Sequence, residues 1–321
     1  MPQRPWPGND SGFLGMPEEA VLDRLIQGEV AKVQPGRGGR SLAFRLTLED
    51  GTQGYFKPEQ SFSGALWFAE VAAYHLDRAL GLRRVPPVVT RRLPWSLLRS
   101  AAARNPHRDE IVIDAEGYVR GAFIWWLPRK LARLNTPPEW ERWLRIRPWG
   151  YWHVTPYQRP RLYVEALRRR NRGILPHKPR RRAPEQPDPP ERAAELSDMA
   201  VFDYLTLNID RWGGNNVNVL TYGPEGPLIF LDNAAGFAKG RQQNGLMEDR
   251  LQVVQRFRAQ TIERVRSLDL ADLKERLERE AHGPLLDQHR WQGLLQRRTA
   301  LLEHVAELEE AHGSAAVLAW P

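Results

Sequence analysis

The sequence predicts an α+β fold in two parts: a strand-rich first part carrying one helix, and a mostly helical second part holding a short polar hairpin. Three patterns predict it. Leu42–Leu48 alternates apolar and polar residues, then Glu49-Asp50-Gly51 turns the chain into a run ending Tyr55-Phe56-Lys57, the mark of a β-hairpin. Leu66, Ala69, Ala73, Leu76 and Leu80 recur at helical spacing. From Leu246 to about Leu318 amphipathic runs dominate, among them Leu294-Leu295, Leu301-Leu302, Val305 and Leu308.

Taken in order, Val30–Phe56 is strand-like, with Pro35–Ser41 as a glycine-rich loop between strands. Ser63 is the expected N-cap of the helix that follows, and Gly81 sits where a C-cap glycine belongs. Pro86-Pro87 forces Val88-Val89-Thr90 into an extended segment. A short strand is expected over Gly121–Leu127. Between Arg145 and Arg192 the chain gathers arginines and prolines around a few aromatics, and Pro176–Pro190 reads as an exposed loop. From Glu191 helical spacing resumes (Leu196, Met199, Ala200, Leu207) and ends at the loop Asn208–Asn216. A hairpin follows: Val217–Tyr222, a Gly223–Gly226 turn and Leu228–Leu231.

Composition narrows the function classes. The 321 residues include no cysteine, which excludes disulfides, zinc–thiolate sites and thiol nucleophiles. Met1–Met16 lacks the basic start and apolar run of a signal peptide, and no apolar stretch is long enough to span a membrane. A cytoplasmic protein without a membrane partner is the expectation. The net charge of +8 points to anionic partners.

Three chemical features fall in one order along the chain. Lys57 ends a strand, and Glu70 follows thirteen residues on, in the helix. Asp210 and Asn215 form an Asp-x4-Asn pair within Asn208–Asn216. Asp232 closes the second hairpin directly after Ile229-Phe230-Leu231. Phosphoryl transfer from ATP uses each feature. A fixed cation, Lys57, holds the phosphates, and Glu70 orients that lysine or contacts the metal. Asp210 accepts the proton of an attacking hydroxyl, and Asn215 and Asp232 offer hard oxygen ligands to Mg²⁺ or Mn²⁺. Gly36, Gly38 and Gly39 upstream of Lys57 are candidates for a phosphate-covering turn.

The same residues resemble the four-jointed kinases and, more broadly, the Golgi secretory-pathway kinases of the casein-kinase type. Phe202–Thr206 with Asn208, Asp210 and Arg211 resembles the four-jointed catalytic segment, and Leu228–Gly236 its metal-binding segment. Tyr55–Pro58 and Ala69–Pro87 resemble the lysine strand and glutamate helix of the secretory casein kinases; Trp126–Pro128 and Leu294–Arg298 are shorter matches. The resemblance implies a bilobal atypical protein-kinase-like fold, with Lys57 on the phosphates, Glu70 and Asp232 on the metal and Asp210 as base. It implies transfer to Ser/Thr of proteins, or to a xylose hydroxyl in one branch. Trp212 stands where many relatives carry His, the Lys57–Glu70 interval is shorter than in the casein-kinase branch, and the lack of cysteine suggests a bacterial-type soluble relative.

The expected organisation is an N-terminal extension over residues 1–28, a nucleotide-binding lobe over 29–128 and a catalytic lobe over 129–321 with the Arg/Pro-rich insert at about 145–192. The acceptor stays open between a protein hydroxyl and a sugar or other small hydroxyl compound. Three further readings stand beside these. They are a pseudokinase, an adenylyltransferase, and a basic module binding nucleic acid through Arg147–Tyr163, where basic and aromatic residues alternate. No feature fixes an oligomeric state.

Overall fold

The structure, a computed structural model, describes all residues except 1–11, 37–39, 63, 135–139, 149–155, 158–162, 164, 166–167, 170–171, 173–183, 187–188, 214–215 and 240. Its contacts divide the chain into two compact units. Unit 1 comprises Met1–Arg129, Asp232–Gly236 and Asp269–Asp287; unit 2 comprises Lys130–Leu231, Phe237–Leu268 and Gln288–Pro321.

Unit 1 is built on a five-stranded antiparallel sheet in the order β1-β2-β3-β5-β4. The strands are β1 (Val30–Pro35), β2 (Phe44–Leu48), β3 (Gln53–Pro58), β4 (Val88–Pro94) and β5 (Tyr118–Trp125). Register sorts the side chains between the two faces, since cross-strand partners share a face. Phe56 pairs with Phe44 and Phe123, and Phe123 with Val89, so these four apolar residues lie on one face. They pack with Leu25, Leu98 and Ala102 from α1 (Glu18–Gln27) and α3 (Trp95–Ala102) into the core of the unit. Gly54 serves this packing: a Cβ there would lie 2.2 Å from Phe123 Cε2. Lys57, one residue after Phe56, points to the other face with its partner Ala122 and with Thr90 beyond it.

Helix α2 (Trp67–Ala79) is buried around most of its circumference: Ala69, Glu70, Ala72, Ala73 and Leu76 are all inaccessible. Small alanines let it pack closely, and Gly81 takes φ +59° just beyond its C-cap Leu80, as a helix-ending glycine should. The expected N-cap, Ser63, lies outside the described residues; Leu66 holds the N-cap position without a side-chain cap. Instead its N–H donates to the Ala234 carbonyl oxygen at 2.9 Å, tying the helix start to the segment Asp232–Gly236. Asp269 caps the helix Leu270–Arg279 by accepting from the N–H groups of Ala271 and Asp272.

Unit 2 centres on α4 (Pro190–Thr206), in which nearly every residue from Ala193 onward is buried. Pro190 opens it at a position where a missing N–H costs nothing, and Leu207 ends it in the left-handed region at φ +56°. Three two-residue strands form the sheet β6-β7-β8: Ala132–Arg133, Leu220–Thr221 and Leu228–Ile229. Helices α5 (Arg241–Val253), α6 (Ala259–Arg266), α8 (Gln288–His312) and α9 (Ser314–Val317) complete the unit; α7 is the Leu270–Arg279 helix of unit 1.

Several boundaries differ from expectation. The strand placed over Gly121–Leu127 is Tyr118–Trp125, because pairing with β4 runs from Val88↔Ile124 to Pro94↔Tyr118 and recruits the polar start. The second hairpin is shorter than Val217–Tyr222 and Leu228–Leu231 suggest: only Leu220–Thr221 and Leu228–Ile229 are paired, residues 216–218 being a turn.

Candidate active site

In unit 1 Lys57, Glu70 and Asp232 come together. Lys57 Nζ donates to Glu70 Oε1 at 2.5 Å and to Asp232 Oδ1 at 2.6 Å. The strand period aims Lys57 away from the apolar core, and α2 brings Glu70 to it from the first turn. Side-chain exposure is 14% for Lys57, 3% for Glu70 and 47% for Asp232, so the pair is largely shielded while one carboxylate faces solvent. Asp232 sits at φ +62°, a conformation that Asp tolerates better than most residues. Glu70 Oε1 also accepts the N–H of Asn233 at 3.0 Å, which locks the Asp232 segment to the glutamate. Burial alone would lower the lysine pKa; the Asp232 and Glu70 carboxylates outweigh it and hold the value above the ordinary one.

One ammonium shared by two carboxylates leaves net negative charge, and the donors are hard oxygens. Both properties suit Mg²⁺ or Mn²⁺ rather than a soft metal. Among the described residues no group of three or more His, Asp or Glu side chains is gathered to hold a metal. Two carboxylates are nevertheless the usual protein share for a Mg²⁺-type ion that takes its remaining ligands from phosphates and water.

Gly36 donates its N–H to Ala43 O at 2.7 Å. A Cβ there would stand 2.5 Å from the Tyr55 hydroxyl and 2.6 Å from Ala43 O, so packing by itself requires glycine. Gly38, Gly39 and Asn215 lie outside the described residues.

In unit 2 the loop bearing Asp210 is held from beneath. Asp210 is exposed; its N–H faces Asn208 Oδ1 at 3.3 Å and its Oδ2 accepts from Asn218 Nδ2 at 3.5 Å. Gly213 allows the turn, since a Cβ there would come within 2.8 Å of Asp210 Oδ1. Below the loop, buried Asp203 of α4 accepts from Arg211 Nε at 3.1 Å and from the Trp212 indole N–H at 3.0 Å. Arg211 also donates through Nη1 to the carbonyl of Leu231. Burial raises the Asp203 pKa to about 6 against the opposing Arg211 charge. Trp212 packs against a tilted Trp140 ring and edge-to-face with Tyr157, at centroid distances of 5.0 and 4.9 Å. Arg250, also buried, donates Nη1 to the Ile209 carbonyl at 3.1 Å.

Sequence reasoning singled out Asp210 as the base and noted Arg211, Trp212 and the segment holding Asp203 by resemblance, without giving them a supporting role. A carboxylate alone in the apolar run Met199–Thr206 was the available signal for Asp203, because it must find a partner once buried. Nothing in the sequence marks Arg250.

A family model described as Fam20C, Golgi casein kinase, C-terminal, matches residues 16–103 and 107–317. The chain belongs to the Fam20C family. Among the curated relatives of this Fam20C-family chain, the mouse pseudokinase FAM20A is 28% identical over 284 positions, covering 78% of this chain and 48% of the relative. The human extracellular serine/threonine protein kinase FAM20C is 26% identical over 340 aligned positions, covering 92% and 55%. The chain thus spans about half the length of the curated relatives it matches. A crystal structure of the Golgi casein kinase with Mn/ADP bound superposes with a TM-score of 0.66 at 20% identity, covering 96% of this chain and 80% of that one. The fold is therefore the α+β atypical kinase-like fold that the resemblance implied.

The cytoplasmic expectation is overturned by the same findings, because the family is described as Golgi casein kinase and its human relative FAM20C as extracellular. It rested on missing cysteines and on the character of Met1–Met16. The first constrains disulfide use without fixing a compartment, and the second describes one short segment of a chain about half as long as its relatives.

Proposed function

We propose that this chain is a metal-assisted kinase that transfers the γ-phosphate of ATP to a hydroxyl, that of Ser or Thr in a protein. The observation that carries the reading is the shielded Lys57 ammonium held between Glu70 and Asp232. A structural ion pair needs one carboxylate; two, one of them half exposed, prepare a place for a phosphate-bound divalent ion. In this reading Lys57 binds phosphate oxygens, Glu70 fixes Lys57 and shares the ion, and Asp232 is its main protein ligand. Asn215 supplies a further oxygen, and Gly36, Gly38 and Gly39 cover the phosphates. Such an ion, when bound, neutralises charge on the phosphates.

Asp210 is the base. Its exposed carboxylate takes the proton as the acceptor oxygen bonds to the γ-phosphorus and ADP leaves. Asp203, Arg211, Trp212 and Arg250 hold the loop without touching substrate. Residues of 29–128 together with Asp232 serve nucleotide binding in this reading, and Asp210 serves catalysis. The relatives include by name both a kinase and a pseudokinase, so membership alone does not decide activity; retention of Lys57, Glu70, Asp210 and Asp232 favours the kinase.

The test is incubation of the purified chain with ATP and Mn²⁺, offering Ser/Thr peptides, simple sugars or no acceptor, followed by mass spectrometry. Phosphate on Ser or Thr is expected. Phosphate on sugar alone would replace the acceptor, added AMP would replace the reaction, and ATP binding without transfer would make the chain a pseudokinase.

A further inference from the structure

The first turn of α1 carries two glutamates, a placement that the helix dipole favours by itself. Glu19 is exposed, as that role allows. Glu18 is not: its side chain is 12% exposed, and both its oxygens are engaged by α2 and the segment leaving it. Tyr74 donates its hydroxyl to Glu18 Oε1, and Arg78 donates Nε to the same oxygen at 2.7 Å. Arg83, in the left-handed region at φ +54°, sets Nη1 3.6 Å from Glu18 Oε2. Burial, opposed by the Arg78 charge and assisted by Glu18, raises the Tyr74 pKa, so the phenol stays the donor.

Both sides of this contact are themselves fixed. Helix α1 packs Leu25 into the core, on the sheet face away from Lys57, and Arg91 of β4 donates Nη1 to the carbonyls of Leu25 and Gly28 at 2.8 and 3.0 Å. On α2, Arg78 also pairs with Asp77 and donates Nη2 to the Val85 carbonyl at 2.9 Å. Phe13, buried just before α1, lies against that guanidinium, whose Cζ is 5.7 Å from the ring centre. Tyr74 and Arg78 follow Glu70 by four and eight residues, so they stand about one and two turns along the same side of α2. Whatever moves that side of the helix moves Glu70 relative to Lys57.

We propose that Glu18 is a positioning residue: it clamps α2 so that Glu70 stays on the Lys57 ammonium, and thereby sets the affinity for ATP. Without the carboxylate, Tyr74 and Arg78 lose their common acceptor and α2 gains freedom to shift. Lys57 is then left to Asp232 alone, which ties up the carboxylate meant for the ion. The inference rests on the proposed kinase reading for what the pair binds, whereas the pair itself is measured without nucleotide.

Competitive acetylation of the full chain with trace acetic anhydride, read by mass spectrometry, compares Lys57 with exposed Lys32. An ammonium held by two carboxylates stays protonated and reacts slowly; one that has lost Glu70 reacts faster. Glu18→Ala should speed Lys57 relative to Lys32 at least about fivefold, and Glu18→Gln, which keeps an oxygen acceptor, should fall between it and wild type. Leu98→Ala truncates the core on α3 and should leave the ratio within about twofold of wild type. In calorimetry with ATP and Mn²⁺, Glu18→Ala should bind at least about threefold more weakly than wild type. An unchanged Lys57 ratio in Glu18→Ala, an equal rise in Leu98→Ala, or unchanged ATP affinity once Lys57 is freed would each overturn the proposal. No ATP binding by wild type, with Lys57 freed in Glu18→Ala, would instead overturn the kinase reading while the clamp on the pair stood.

Discussion

Lys57 Nζ lies 2.5 Å from Glu70 Oε1, and the glutamate is almost wholly buried. Removing the lysine by Lys57→Met would leave Glu70 as a shielded carboxylate with no cation beside it. Breaking a buried pair from one side costs about 3–5 kcal/mol; the value here should fall near 3, since Asp232 remains half exposed. Urea unfolding should show that loss, while the double variant Lys57→Met, Glu70→Gln should recover part of it. Equal stability of wild type and Lys57→Met would mean that the pair is solvated.

Trp212→Phe keeps an aromatic ring against Trp140 and Tyr157 but deletes the indole N–H that Asp203 accepts at 3.0 Å. Asp203 is fully buried and keeps Arg211, so the expected cost is about 1–2 kcal/mol, read as a lower urea midpoint at unchanged m-value. An unchanged midpoint would show that the indole bond contributes nothing.

The pairing of Lys57 with Glu70 was legible in the sequence because two local periods place it, whereas Asp232 reaches Lys57 across 175 residues. The two-residue period turns Lys57 away from Phe56, and the helical period puts Glu70 in the first turn of α2. The supports of Asp210 were not legible. Arg250 reaches the Ile209 carbonyl across 41 residues, and Trp140 reaches Trp212 across a longer interval; no local pattern encodes either contact. Helix α1 escaped notice because Glu18–Gln27 buries only Leu25, and α3 because eight residues are too few to show a period. The strand Ala132–Arg133 has two residues and exists only through pairing with Leu220–Thr221.

Asp203 carries a pH signature. Burial raises its folded pKa from 3.8 to about 6, so between those values the folded state holds a proton that the unfolded state has released. The contribution of Asp203 to stability is therefore complete below about pH 4, declines as pH rises towards 6, and is flat above. Asp203→Asn should be less stable overall and lack this decline. The check is the wild-type minus variant difference in unfolding free energy from pH 3.5 to 7. A difference that grew with rising pH would contradict the raised value.

Metal removal separates nucleotide binding from fold. ATP with Mn²⁺ should raise the melting temperature, and excess chelator should abolish that rise while leaving the ATP-free melting curve in place. Asp232→Ala should behave as the chelated wild type does. A full ATP-dependent shift in Asp232→Ala would remove Asp232 from the metal site.

The most direct test of the kinase reading compares phosphate transfer by wild type and Asp210→Ala while ATP affinity is measured on the same preparations. Asp210 is exposed and lightly bonded, so the substitution should leave the fold within about 0.5 kcal/mol of wild type. The predicted result is unchanged ATP binding with transfer reduced at least about a thousandfold. Transfer by Asp210→Ala at close to the wild-type rate would contradict the account.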